Sequence, residues 1–366
     1  MQDLNLLLRD SLYIGTNTYL IGSQKPYILV DAAEGLESYL PVLTSALQGS
    51  NPTTSNLNVS SPDVSDIIIS HWHHDHVGGL PSVLSLLKDL WVGRNQGREA
   101  EYQGPKLHKY CLDKTKAGGE HLGPHNMLPD IEKTLHEEIK LYTAAPDGSV
   151  FHDLCDGQKF VLDKGTATAT LLEVLHTPGH SADSICLYLP IDRALYTADT
   201  VLGHGTAVFE DLAAYMKSLN KMLRFNVENQ GEELKSAAAY DTLYPGHGDI
   251  LTNGRETIAI YIKHRLEREA QIVQVLQLPV PVELQSSDTN SDLQQQQLWT
   301  TWNLVKHIYK SYPENLWLPA TRSVYLHLKK LEGEGFVRCV GGEGKDTMWE
   351  LVLVPVAIPS AGSTTG

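Results

Sequence analysis

The stretch Asp66-Ile67-Ile68-Ile69-Ser70-His71-Trp72-His73-His74-Asp75-His76-Val77-Gly78-Gly79 places four histidines and an aspartate within six positions, directly behind an apolar run. Residues 66–70 are short, largely apolar and β-branched, which predicts a strand. Gly78-Gly79 interrupts the chain, and from Leu80 onward the pattern predicts a helix. The polar cluster therefore belongs to a loop at the C-terminal end of a strand.

Working outward, the same strand-to-loop passage recurs. Leu171-Leu172-Glu173-Val174-Leu175 leads into His176-Thr177-Pro178-Gly179-His180, and Ala194-Leu195-Tyr196-Thr197-Ala198 leads into Asp199. Thr242-Leu243-Tyr244-Pro245-Gly246 leads into His247. Upstream, Tyr19-Leu20-Ile21 and Tyr27-Ile28-Leu29-Val30-Asp31, separated by Gly22-Ser23-Gln24-Lys25-Pro26, predict a hairpin. A helix is expected over residues 36–47 and a polar surface loop over residues 48–62. Each histidine-bearing segment follows a strand, so these loops are expected to converge at one sheet edge.

In H-x-H-x-D-H, His71 and His73 alternate and can face one metal ion while Asp75 and His76 face a second. Each ion needs about three or four protein ligands, so the motif alone completes neither site. His180 supplies the missing ligand for the first ion and His247 for the second, with Asp199 able to bridge both. Imidazole and carboxylate without thiolate suit two zinc ions and leave manganese or iron chemically open. Asp75, on the side of the second ion, is the residue expected to take up and return a proton as general base and acid. His74 and His176 are expected to be structural, and His204, just past Asp199, is a candidate for lining the cleft. His121, His125 and His152 have no identifiable partner in the sequence.

Composition narrows the alternatives. Hydrophobic residues make up 42% and charged residues 20%, ordinary values for a folded globular chain and unsuited to a membrane protein. The first residues lack the basic and apolar regions of a secretory signal, and the four cysteines, at 111, 155, 186 and 339, form no C-x-x-C pair. A cytoplasmic, reducing compartment is expected. Forty-four acidic residues against 29 basic ones give a formal charge of −15, which disfavours nucleic acid as a partner.

His71 to His76, followed in order by His180, Asp199 and His247, resemble the successive motifs of the metallo-β-lactamase superfamily. The resemblance implies an α/β protein with the αββα sandwich of that superfamily. The bridging Asp199 sets the chain apart from true metallo-β-lactamases, which generally lack it, and aligns it with hydrolases of thioesters and phosphodiesters. Asn17-Thr18-Tyr19-Leu20, Thr200-Val201-Leu202-Gly203, Val208-Phe209-Glu210-Asp211-Leu212 and His264-Arg265-Leu266-Glu267-Arg268-Glu269 extend the likeness to the lactamase-beta-2-like branch. Within it, the chain is similar to fungal thioesterases of the atrochrysone carboxylic acid type, which serve non-reducing polyketide synthases. That similarity implies release of an aromatic polyketide acid from the acyl carrier protein of the synthase, as the partner. A hydroxyacylglutathione-type thioesterase is an alternative. Another is an endoribonuclease acting on single-stranded RNA, since a relative of this architecture has that activity.

Residues 1–276 are expected to form the catalytic domain, ending in an amphipathic helix from Glu256 to Leu276. Residues 277–297, rich in Gln, Ser and Asp, are expected to be a linker. Over residues 298–354, two helices (298–312 and 320–331) and a hairpin built from residues 336–340 and 348–352 predict a small winged-helix-like domain. Residues 355–366 are expected to be disordered. Between Trp299 and Glu350 there are seven Lys or Arg and six Asp or Glu. A nucleic-acid-reading winged helix would be distinctly basic, so nucleic acid is disfavoured here also.

Overall fold

In a computed structural model of the chain, residues 5–9, 15–49, 61–112, 128–138, 140–162, 171–225, 239–284 and 298–352 are described. They divide into two compact units, Met1–Ile258 and Ala259–Gly366.

The first unit is built on two sheets. One runs β1 (Asn5–Arg9), β2 (Asn17–Ile21), β3 (Tyr27–Val30), β4 (Val64–Ile69), β5 (Lys106–Lys109) and β6 (Phe151–Asp153) in spatial order. From β3 to β6 neighbouring strands are parallel, and β1–β2 and β2–β3 are antiparallel. The other sheet contains β7 (Lys159–Val161), β8 (Leu171–His176), β9 (Ile185–Leu189), β10 (Ala194–Ala198) and β11 (Thr242–Pro245), antiparallel except for the β10–β11 pair.

Strand periodicity explains why the first sheet is apolar on both faces. Successive side chains point to opposite sides. Ile67 and Ile69 join Leu20 and Leu29 in a core with α1 (Tyr39–Gly49), α3 (Leu80–Arg94) and α4 (Leu128–Glu137). Ile68 joins Tyr19, Ile21, Ile28 and Val30 in a second core shared with Val174, Leu187 and Tyr196 of the other sheet. Between α1 and α3 lies the single turn α2 (His74–Val77). On the far side of the second sheet lies α5 (Leu212–Arg224), where Met222 Sδ is 4.0 Å from Cys186 Sγ. Asp211 caps α5 by accepting from Ala214 N at 2.9 Å. The result is the αββα sandwich expected from the sequence.

The helix α6 (Gly254–Leu276) spans the division between the units. Its Ile272, Val273 and Val275 enter the core of the second unit, with Leu304 of α7 (Thr301–Ile308) and Val324, Leu328 and Leu331 of α8 (Trp317–Gly333). Strands β12 (Trp299–Thr300), β13 (Val337–Gly341) and β14 (Met348–Leu351) form a sheet ordered β12-β14-β13. Two helices with this sheet make the winged-helix domain. The helix expected from residue 298 instead begins as strand, because Trp299 pairs with Trp349 across β14. Thr300 then caps α7, accepting from Asn303 N at 3.0 Å. Residues 285–297 of the expected linker, residues 50–60 of the expected loop and the tail over residues 355–366 lie outside the described residues. Among the described residues no helix is long and apolar enough to cross a membrane, and all four thiols are free.

Candidate metal centre

The loops after four strands meet. After β4 come His71 and His73, then Asp75 and His76 on α2. His180 follows β8, Asp199 follows β10, and His247 follows β11. The seven residues marked in the sequence fall into two groups that share Asp199: His71, His73, His180 and Asp199, and Asp75, His76, Asp199 and His247. Within each group the ligand-capable atoms all lie within 4.8 Å of one another.

In the first group, His180 Nε2 is 3.2 Å from His71 Nε2 and 2.9 Å from His73 Nδ1, and His71 Nε2 is 2.9 Å from His73 Nδ1. Asp199 Oδ2 stands 3.7 Å from His180 Nε2. In the second group, Asp199 Oδ1 is 3.3 Å from His76 Nε2, and Asp199 Oδ2 is 3.3 Å from His247 Nε2. Asp75 Oδ2 lies 3.1 Å from His247 Nε2 and 3.5 Å from His76 Nε2.

The outer nitrogens of four of these rings are each engaged. His180 Nδ1 donates to Val208 O at 2.9 Å, His76 Nδ1 to Asp31 Oδ2 at 2.7 Å, and His247 Nδ1 to Gly15 O at 3.3 Å. Ser70 Oγ donates to Asp31 Oδ2 at 2.8 Å, which leaves it to accept from His71 Nδ1 at 3.0 Å. A neutral imidazole carries one N–H and one lone pair, so committing Nδ1–H aims the Nε2 lone pair inward.

Charge balance follows from burial and neighbours. Burial, reinforced by His76 and His180, holds His71 well below the usual imidazole range, and burial with His180 brings His73 down to about 4. Burial likewise lowers His180. These rings are neutral near pH 7. In the second group, burial opposes protonation of His247, but Asp199 and Asp75 outweigh it and push the ring up to about 10. For His76 burial again acts downward, and Asp31 and Asp199 carry it well above the usual value. Burial works against the ionised forms of Asp75 and Asp199, yet the surrounding histidines keep both carboxyls well below the normal range.

This donor set fits two divalent cations. Nitrogen and carboxylate ligands without thiolate suit zinc. His76 Nε2 and Asp199 Oδ1 are buried polar atoms that face each other and make no hydrogen bond. A cation between them satisfies both.

Backbone geometry brings the ligands this close. Ala198 adopts φ 44°, turning the chain as it leaves β10 so that Asp199 enters the cluster. Gly246 passes so near that a Cβ there would stand 2.5 Å from Asp199 Oδ1 and 2.9 Å from His76 Cε1. Only glycine permits that approach.

Of the other histidines, His176 stacks on Tyr110 with ring centroids 3.7 Å apart and donates from Nε2 to Ala182 O at 3.0 Å, a structural role. His74 is exposed on α2. His204 is exposed beside the ligand loop, where its neighbour Gly203 N donates to His247 O at 2.8 Å. His152 Nε2 donates to Thr143 O at 3.0 Å, while His121 and His125 lie outside the described residues. Sequence reasoning missed Asp31, Ser70 and Tyr196. The Asp31 carboxylate is fully buried and accepts from Ser70 N, Ser70 Oγ, His76 Nδ1 and the Tyr196 hydroxyl. A charge ending the apolar run Tyr27-Ile28-Leu29-Val30 was the available signal.

The sequence pattern of the Metallo-beta-lactamase superfamily matches residues 14–247, and that of the Beta-lactamase associated winged helix domain matches residues 300–349. The chain is 33% identical over 326 residues to the Beta-lactamase-like protein 2 homolog of Drosophila melanogaster, spanning 88% of this chain and 84% of that protein. It is 30% identical over 262 residues to the Atrochrysone carboxyl ACP thioesterase of Aspergillus chevalieri, spanning 72% of this chain and 60% of that protein. Among solved structures, a Beta-lactamase domain protein from Burkholderia ambifaria shares the fold with a TM-score of 0.59 at 16% identity, over 95% of this chain and 91% of that one. A metallo-beta-lactamase family protein from Thermus thermophilus does so at 0.55 and 18%, over 95% and 99%. The superfamily pattern takes in every loop on which the two residue groups lie, so the chain belongs to the metallo-beta-lactamase superfamily of hydrolases and carries the winged-helix domain associated with it.

Proposed function

We propose that this hydrolase cleaves acyl thioesters, with an aromatic polyketide held on an acyl carrier protein as substrate and the free acid as product. The observation that carries the reading is Asp199, whose two oxygens face both residue groups, in a chain that resembles a named carrier-protein thioesterase over the domain bearing them. Two zinc ions bound there supply Lewis acidity, which lowers the pKa of water towards about 7 and polarises a carbonyl.

The roles of the chain's own residues follow. His71, His73 and His180 would hold one cation and Asp75, His76 and His247 the other, with Asp199 available to both. Asp75 is 37% exposed at its side chain against 12% for Asp199, so it is the carboxylate open to an incoming substrate. Ionised at neutral pH, it takes the proton from the attacking water and returns it to the departing sulfur. A thiol with a pKa near about 8.5 leaves readily as thiolate, so strong acid assistance is unnecessary.

A second reading is cleavage of single-stranded RNA, because two residue groups joined by a shared carboxylate can serve attack on a phosphodiester as readily as on an acyl group. Both substrates are tested on one preparation. The protein is expected to hold about two zinc ions and to hydrolyse an acyl carrier thioester. Asp75→Ala should cost on the order of 10²–10⁴-fold in rate, and chelation should abolish turnover. RNA cleavage without thioester turnover replaces the first reading by the second.

A further inference from the structure

Residues 15–17, which lead into β2 and include its first residue Asn17, touch the second residue group at both Asp75 and His247. Thr16 Oγ1 donates to Asp75 Oδ2 at 3.2 Å, and Gly15 O accepts from His247 Nδ1. Asn17 grips the loop that carries His247: its backbone N donates to Gly246 O at 2.7 Å, and its Nδ2 donates to Pro245 O at 3.1 Å and Gly248 O at 2.8 Å. Thr16 and Asn17 are both buried. The first group draws its supports from elsewhere, His71 from Ser70 and His180 from Val208 O.

We infer that residues 15–17 form a clamp that sets the affinity of the second cation position independently of the first, with Thr16 and Asn17 as positioning residues. The inference rests on the reading of the seven residues as ligands. The physical reason is orientation. Asp75 and His247 arrive from α2 and from the loop after β11, and one segment hydrogen-bonded to both fixes their separation at 3.1 Å. Loss of such outer partners typically weakens metal binding about 10–100-fold.

The experiment is zinc titration of the full chain against a buffered chelator, with metal content per chain read by atomic emission and thermal midpoint recorded alongside. Wild type and Thr16→Ser, which keeps the hydroxyl, are expected to bind two ions with two distinguishable affinities. Thr16→Val, nearly isosteric, and Asn17→Ala should weaken the second step by about 10–100-fold and leave the first unchanged, so that dialysis at intermediate free zinc yields one ion per chain. Wild-type affinity at both steps in Thr16→Val, or equal weakening of both steps, overturns the clamp. A wild-type chain that takes up fewer than two ions overturns the ligand reading and the clamp with it.

Discussion

Asp31 shows how a single buried charge can be worth keeping. Its carboxylate sits at the end of β3 with φ 61°, a backbone conformation that L residues rarely adopt, and it is fully buried. A bare carboxylate there would be costly. Four donors offset that cost, and through them Asp31 orients His76 directly and His71 by way of Ser70. Asp31→Asn keeps the shape but replaces one oxygen by a donor, which meets Ser70, His76 or Tyr196 donor to donor. We expect zinc affinity to fall about 10–100-fold, measured by competition with a chromophoric chelator. Unchanged affinity would show that the ligands orient themselves. The ligand candidates were legible in the sequence because they follow strands in short local patterns, four of them after β4 and one each after β8, β10 and β11. Asp31 and Thr16 were not, because they act on His76 and Asp75 across 45 and 59 residues of chain, a distance that only sheet pairing closes.

At the scale of elements, the legible parts were those whose pattern is local. Ile67, Ile68 and Ile69 read as strand because a β-branched run favours it, and the alternation between two cores was implicit in its period of two. Trp299 and Thr300 read as helix because nothing nearby contradicts it, and only pairing with β14 makes them strand. The packing of α6 against α8 within the second unit was equally invisible, and it buries His327 completely, with Nδ1 3.9 Å from Glu269 Oε2. Burial lowers this imidazole below its usual range, and Glu269 only partly compensates. The folded state therefore resists a proton that the unfolded chain accepts near pH 6.5. The contribution is fully present above that pH and is lost as pH falls towards the folded value, with a slope of at most about 1.4 kcal/mol per pH unit. Denaturant unfolding of the second unit, followed by tryptophan fluorescence between pH 7.5 and 5.5, should show this decline, and His327→Leu should reduce it. The same slope in the variant would place the titrating group elsewhere. Glu269, itself lowered by His327 and Lys330 against the effect of burial, titrates below the carboxylate's normal range and so lies outside this window.

For the whole molecule, the two compact units have separate apolar cores, and the two residue groups that could hold a metal ion lie in the first. A ligand that binds only the native state stabilises it by about 2.7 kcal/mol when free ligand is a hundredfold above Kd. For a unit of this size each kcal/mol moves the midpoint by about 2–4 °C. Removing zinc should thus lower the first unit's midpoint by roughly 5–10 °C for each site at that excess. The second unit should not respond. The tryptophans separate the signals, since Trp72 and Trp91 belong to the first unit and Trp299, Trp302, Trp317 and Trp349 to the second. Fluorescence reports mainly the second unit, whereas far-ultraviolet circular dichroism reports both. With chelator present, the dichroism transition should broaden or split towards lower temperature while the main fluorescence transition stays in place. A single transition that moves intact in both signals would mean that the winged-helix unit unfolds with the metal-binding unit as one cooperative block.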